Sequence, residues 1–465
     1  MKLDLNTETV SLQEQELLQG LTEASDPAAE RFPLNDIQES FLSGRLLQRD
    51  DEEAGCHIYF EFAEPRIDLE RLQKAWQQLI SRHAMLRTVV HQNATQEVRP
   101  VADCRYRIAV QDMQAEPIEA AAPAILQTRE RLSHCYYDFG QWPLFSIELS
   151  LLPNQIGIIH FSIDEWLLDG YSLTLLMQEW YQLYLQPKTQ LQPLSYSFKD
   201  YVLAQKAAEK STAFRQSLSY WRDFRLHPGP ALVSGADANA SQERKRYSRY
   251  IAADTWAAAK SAARQERLSP TALLLSLFCE SLWQLSEQQA FSIILTLFNR
   301  QPLHPEVDQI VGPFVSTTFL SYAGQEATLT DRLQGVQDQL WANLDHQQVS
   351  GIRILREKRG QGQAPASIPV VFTSTLNKAG SKANDSWLEK MRYSISQTPQ
   401  VSMDHQVLEL KGELHLNFDV IAAAIAPEQM EALMDLYSGL LQQVATAGIA
   451  QLALTASASG FRRKA

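Results

Sequence analysis

The sequence has no apolar run of the roughly 18 residues that a membrane-spanning helix needs. Its first ten residues, Met1–Val10, carry no basic stretch leading into an apolar one, so no secretion signal is expected. Positive charge is in deficit, with 42 Lys and Arg against 54 Asp and Glu and a net charge of −12. That balance argues against a nucleic-acid partner, which asks for a basic face. Cysteine is scarce: Cys56, Cys104, Cys135 and Cys279 are scattered, with no C-x-x-C pair. This excludes a disulfide framework and a zinc pattern and leaves buried free thiols in a reducing, cytoplasmic compartment as the expectation. No G-x-S-x-G elbow is present, so a hydrolase triad of that kind is excluded. Arg359–Gln363 (RGQGQ) lacks the Lys-Ser/Thr of a phosphate loop. His134 and His160 stand alone and read as structural, and the charge runs Asp50–Glu53 and Glu243–Arg246 read as solvated. No metal constellation is apparent and no cofactor of its own is expected.

What is present is a chain of 465 residues, enough for two halves and an ample core. Residues 1–30 read as a leader or docking segment. Within it Ser11 and Glu14 form a capping box for a short helix carrying Leu12, Leu17, Leu18 and Leu21. A strand is expected over His57–Phe62, a helix capped by Asp68 with Leu72, Trp76, Leu79 and Ile80 on one face, and a strand over Leu86–His91. Another strand, Ile156–Ile163, empties into a turn, and helices follow from Leu173 to about Arg225. The Pro-, Gly- and Ala-rich stretch from His227 reads as a linker, 227–245. Beyond it come a strand over Tyr247–Ile251, a helix over Thr255–Arg264, a buried helix opened by Ser269-Pro270, and central strands over Phe291–Phe298 and Ile368–Thr375. The expected domains are 31–226 and 246–455, with a tail over 456–465. The fold class is α/β in two mixed halves.

The most informative feature is a pair of aspartates, Asp164 and Asp169, in IIHFSIDEWLLDGYS (Ile158–Ser172) at the mouth of the apolar strand. Two carboxylates there are costly to desolvate unless each has a partner or a task. The pattern D-x-x-x-x-D-x-x-S resembles the signature of heterocyclization domains of nonribosomal peptide synthetases. In the amide-forming condensation domains the matching stretch is H-H-x-x-x-D-G, so Asp164 and Glu165 stand at the two histidine positions. Further blocks carry the same resemblance in order: FPLNDIQESFLSGR (Phe32–Arg45), RHAMLR (Arg82–Arg87), WPLF (Trp142–Phe145), LTLFNRQPLHP (Leu295–Pro305), VVFTS (Val370–Ser374) and SQTPQVSMD (Ser396–Asp404). Two departures are Pro313 and Val315 in VGPFV, where the family has V-G-D-F-T, and Ser402 replaces an aromatic.

The resemblance implies two chloramphenicol-acetyltransferase-like lobes in a V shape with a tunnel between them. It implies donor and acceptor peptidyl or aryl carrier proteins as partners, whose phosphopantetheine arms bring the substrates to a monomer. The family joins a carrier-bound acyl group to carrier-bound Cys, Ser or Thr and cyclodehydrates the product to a thiazoline or oxazoline. By motif matching Asp404 is the acid–base carboxyl and Thr373 its hydrogen-bonding partner. Asp164, Asp169 and Ser172 are scaffold, with Arg87 expected to pair with Asp169 and Ser172 to cap the following helix. Glu165 is either a local base or a solvent-facing side chain. An amide-forming enzyme without cyclodehydration and a non-catalytic carrier-binding scaffold remain as alternatives, both drawing on Pro313 and Val315. With no adenylation or carrier segment in view, the chain is expected to be either a freestanding protein or a domain of a larger synthetase.

Overall fold

The computed structural model describes residues 31–46, 56–233, 244–286, 288–324, 328–365, 367–376, 386–397 and 401–451. The leader helix expected around Ser11 and the tail from residue 456 lie outside the described residues. The strands, in chain order, are Arg31–Pro33 (β1), His57–Glu64 (β2), Thr88–Val90 (β3), Thr95–Val98 (β4), Ala109–Asp112 (β5), Phe145–Leu151 (β6), Gly157–Asp164 (β7), Arg244–Ile251 (β8), Ala290–Phe298 (β9), Val315–Ala323 (β10), Val370–Ser374 (β11), Met391–Gln397 (β12), Met403–Leu410 (β13) and Glu413–Ile421 (β14). No described helix is long and apolar enough to cross a membrane.

The chain forms two compact units that do not follow a single cut in the sequence. The first comprises Met1–Ala208, Arg300–Val315 and Ala383–Pro399; the second comprises Glu209–Asn299, Ser316–Lys382 and Gln400–Ala465. The expected boundary at 227–245 is therefore displaced to residue 208, and two later segments return to the first unit. The reason is pairing at a distance. β12 adds itself antiparallel to β2, with Gln397 opposite His57, a contact that local patterning does not reveal. Nor is His227–Val233 a loose tether. Gly229 N donates to Ser367 O at 2.9 Å, and Leu232 and Val233 are buried in the second unit's core.

In the first unit a five-stranded sheet runs in the order β12-β2-β7-β6-β5. β7 is interior and buried along its whole length, with Ile159, Phe161 and Ile163 on one face and the buried polar side chains of His160, Ser162 and Asp164 on the other. Asp68 caps the helix Leu69–Arg82 by accepting from Arg71 N, and that helix buries Leu72, Trp76, Leu79 and Ile80. Trp76 packs against Phe145, Phe161 and Trp180 at ring separations of 5.2, 5.5 and 4.8 Å. The strand expected over Leu86–His91 is shorter: Ala84–Arg87 is a 3-10 turn, and only Thr88–Val90 pairs in a sheet.

In the second unit a six-stranded sheet runs β10-β9-β11-β13-β14-β8. The helix Pro270–Leu285, capped by Ser269, lies buried against it. Alternation along each strand divides the sheet's faces. Phe372, His405 and Phe418 pack with Phe278 and Tyr437 on the core side. Their strand neighbours Thr373, Asp404 and Asp419 therefore lie on the opposite, polar face.

Candidate functional site

The first unit holds the aspartate motif. Asp164 is buried at the end of β7, and its Oδ1 accepts from Trp166 N at 2.9 Å, turning the chain. Asp169 caps the helix Gly170–Leu185 by accepting from Ser172 N at 2.8 Å. Ser172, expected to be the cap, instead lies in the first turn of that helix. Its Oγ donates to Gly312 O at 2.7 Å and accepts from Arg300 Nη2 at 2.7 Å.

The expected Asp169–Arg87 pair is not formed. Arg87 donates to the carbonyls of Arg99, Ile80 and Ser81. Asp169 faces Arg300 instead, with Nη2 at 3.7 Å from Oδ1. Arg300 also donates to the carbonyls of Val307 and Ile310 and stacks 3.9 Å from the Phe314 ring centre and 4.3 Å from that of Tyr171. Burial lowers the guanidinium's proton affinity, and the Asp169 carboxylate works against that fall. This one arginine ties the motif to the loop 307–314. Gly312 is closely enclosed there, since a Cβ would lie 2.3 Å from Phe198 Cδ2. The opening sequence block supports the same region: Asn35 Nδ2 donates to Pro313 O at 2.8 Å, and Gln38 Nε2 to Trp166 O at 3.3 Å. Glu165 is half-buried and accepts from Ser396 Oγ at 3.1 Å, so it does not point freely into solvent.

The second unit holds the other two candidates, and it brings them together. Asp404 lies on β13 rather than in a solvated loop. Thr373 lies on neighbouring β11, and its Oγ1 donates to Asp404 Oδ1 at 3.4 Å. Pairing places Thr373 beside Gln406 and Asp404 opposite Asp419. A polar chain then crosses the face. Thr296 Oγ1 is 2.8 Å from Thr373 Oγ1. Gln406 Nε2 donates to Asp404 Oδ2 at 2.7 Å and to Asp419 Oδ2 at 3.4 Å. Arg246 clamps Asp419 through Nε at 2.7 Å and Nη2 at 2.5 Å.

Asp404 retains some exposed surface, yet its carboxyl is densely surrounded by protein. Burial pushes that carboxyl up to about 6, and the Asp419 charge adds to the shift; the Gln406 and Thr373 hydrogen bonds and the Arg244 charge oppose it. A carboxyl poised there can give and take a proton near neutrality. Adjacent His405 is no competitor. It is on the core side, stacked 4.0 Å from Phe418, and burial lowers it to about 3.

Sequence reasoning missed Arg300, Gln406, Thr296, Asp419 and Arg246. The D-H-Q alternation from Asp404 was a usable signal for Gln406, because residues two apart in a strand share a face. Among the described residues, no group of three or more His, Cys, Asp or Glu is placed to hold a metal ion.

Comparison with known proteins bears on these arrangements. Residues 28–463 match the family model described as Condensation domain. The chain is 34% identical over 430 residues to pyochelin synthetase PchF of Pseudomonas aeruginosa, covering 90% of this chain and 24% of that protein. It is 32% identical over 435 residues to bacitracin synthase 1 of Bacillus licheniformis, covering 91% of this chain and 8% of the relative. The chain thus spans a quarter or less of these relatives. The solved EpoB cyclization-docking bidomain of the nonribosomal peptide synthetase from Sorangium cellulosum superposes with a TM-score of 0.80 at 29% identity, covering 95% of this chain and 90% of that one. The α/β fold, the sequence blocks and the match over nearly the whole chain agree, and the chain belongs to the condensation-domain family, with a solved counterpart in a nonribosomal peptide synthetase cyclization domain.

Proposed function

We propose that this chain condenses a carrier-bound acyl group with carrier-bound Cys, Ser or Thr and then cyclodehydrates the amide to a thiazoline or oxazoline. The observation that carries the reading is the Asp404 carboxyl, raised to about 6 and hydrogen-bonded to Thr373 on the polar face of its sheet. The likeness to a cyclization-docking bidomain supports it.

The side-chain thiol or hydroxyl attacks the amide carbonyl carbon, forming the ring C–S or C–O bond. Its proton passes to the former carbonyl oxygen, which becomes a hydroxyl. Hydroxide is a poor leaving group, so departure needs a proton donor, and Asp404 supplies that proton as the C–O bond breaks and water leaves. The nitrogen gives up its proton to the Asp404 carboxylate and the C=N bond forms, which restores the acid. Thr373 orients the carboxyl. Asp164, Asp169, Ser172 and Arg300 hold the scaffold, and Glu165 serves through its bond to Ser396 rather than as a base.

The partners in this reading are donor and acceptor carrier proteins, whose phosphopantetheine arms present the substrates to a cytoplasmic monomer. Pro313 and Val315 favour an amide-forming enzyme instead, yet Pro313 lies in a loop anchored through its own carbonyl and through Gly312. Intact-mass analysis with acyl-loaded and aminoacyl-loaded carriers tests the reading. The expected product is one water lighter than the linear amide, and its replacement by the linear amide alone would establish the amide-forming alternative. The same residue offered as a free methyl ester should react far more slowly than on a carrier, because tethering raises its effective concentration.

A further inference from the structure

We propose that Gln406 is a positioning residue that decides which oxygen of Asp404 carries the exchangeable proton. The inference rests on the reading of Asp404 as the acid. The Gln406 carboxamide faces two carboxylates, with Nε2 at 2.7 Å from Asp404 Oδ2 and 3.4 Å from Asp419 Oδ2. Turned over, its oxygen would confront both anions, so the donor end must face them. Asp419 cannot swing away, because Arg246 grips both of its oxygens.

Oδ2 of Asp404 therefore receives an N–H, and the acidic proton is left to Oδ1. Oδ1 is also the oxygen that faces Thr373 Oγ1, at 3.4 Å. The hydroxyls of Thr373 and Thr296 lie 2.8 Å apart, and either can be the donor. Thr373 can thus donate to Oδ1 when the carboxyl is ionised and accept from it when protonated, with Thr296 taking the complementary role. In the dehydration step the proton leaves from Oδ1 to the departing hydroxyl, and the nitrogen's proton returns to Oδ1.

The test is Gln406→Met, which keeps the length of the side chain and removes the donor, made in the full chain. The ratio of ring to linear amide should fall by about tenfold or more, in line with a misplaced general acid. The pH profile of ring closure, and the titration of the Asp404 carboxyl followed by carbon-13 NMR, should both move upward, because a bond to the ionised form is lost. A titration left at the wild-type position would overturn the inference, whatever happens to the rate. So would equal loss of amide formation and ring closure with no shift in pH profile, which marks a merely structural role. Asp404→Asn in the same assay separates the two claims. Intact ring closure there overturns the functional reading, whereas the NMR titration reads the Gln406 contact without any activity.

Discussion

Replacing Asp169 by Ala perturbs two interactions whose sizes can be worked out separately. One is the helix cap, the 2.8 Å bond from Ser172 N, worth about 1 kcal/mol. The other is charge compensation of Arg300, whose side chain is 6% exposed against 1% for that of Asp169. Stranding a buried charge costs about 3–5 kcal/mol when the pair is well made. Here the pair is loose at 3.7 Å, and Arg300 keeps its carbonyl, Ser172 and aromatic contacts. The charge part is therefore set below that range, at about 2 kcal/mol, and the total near 3 kcal/mol. At about 2–4 °C per kcal/mol for a unit of this size, melting should fall by roughly 6–12 °C. Asp169→Asn retains the capping oxygen and should recover about 1 kcal/mol of the loss. In a double-mutant cycle measured by thermal melting, Asp169→Ala should couple to Arg300→Met and add simply to Arg87→Met. Coupling to Arg87 with additivity at Arg300 would refute the assignment.

Three further outcomes follow from the geometry. A carboxyl held at about 6 instead of 3.8 binds protons more tightly in the folded chain, so it contributes instability that grows as pH rises from about 4 to about 6. Asp404→Asn should accordingly stabilise the chain at pH 7, by at most about 3 kcal/mol, and have little effect at pH 4; melting curves at the two pH values check this. Gly312→Ala would drive a methyl group into Phe198 and should cost about 1–3 kcal/mol, read from the same melting assay. Glu165→Gln keeps an acceptor for Ser396 and should change the rate of ring closure less than about twofold, whereas loss of a true general base would cost about 100-fold or more.

What could be read from the sequence was what local chemistry determines. Asp68 and Ser269 announced their helices because a capping side chain acts within three residues. β7 announced itself through Ile158, Ile159, Phe161 and Ile163, because an interior strand is buried on both faces. Asp404 and Thr373 were located by motif, and the structure sets them on adjacent strands within hydrogen-bond reach. The partner of Asp169 was misread because Arg87 and Arg300 look alike in sequence. Only the fold brings the one 131 positions away to the carboxylate. Return of β12 to the first unit was hidden for the same reason, as was the crossing chain from Thr296 to Arg246, which draws on five strands. Ser172 carries a good capping side chain, but Asp169 stands three residues earlier at the N-cap and accepts from Ser172 N, so the cap falls there.

The most direct measurement is product mass from Asp404→Asn supplied with donor-loaded and Cys-, Ser- or Thr-loaded carriers. The account predicts that the linear amide accumulates and that the product one water lighter falls by about 100-fold or more. Ring formation at the wild-type rate in Asp404→Asn would contradict it.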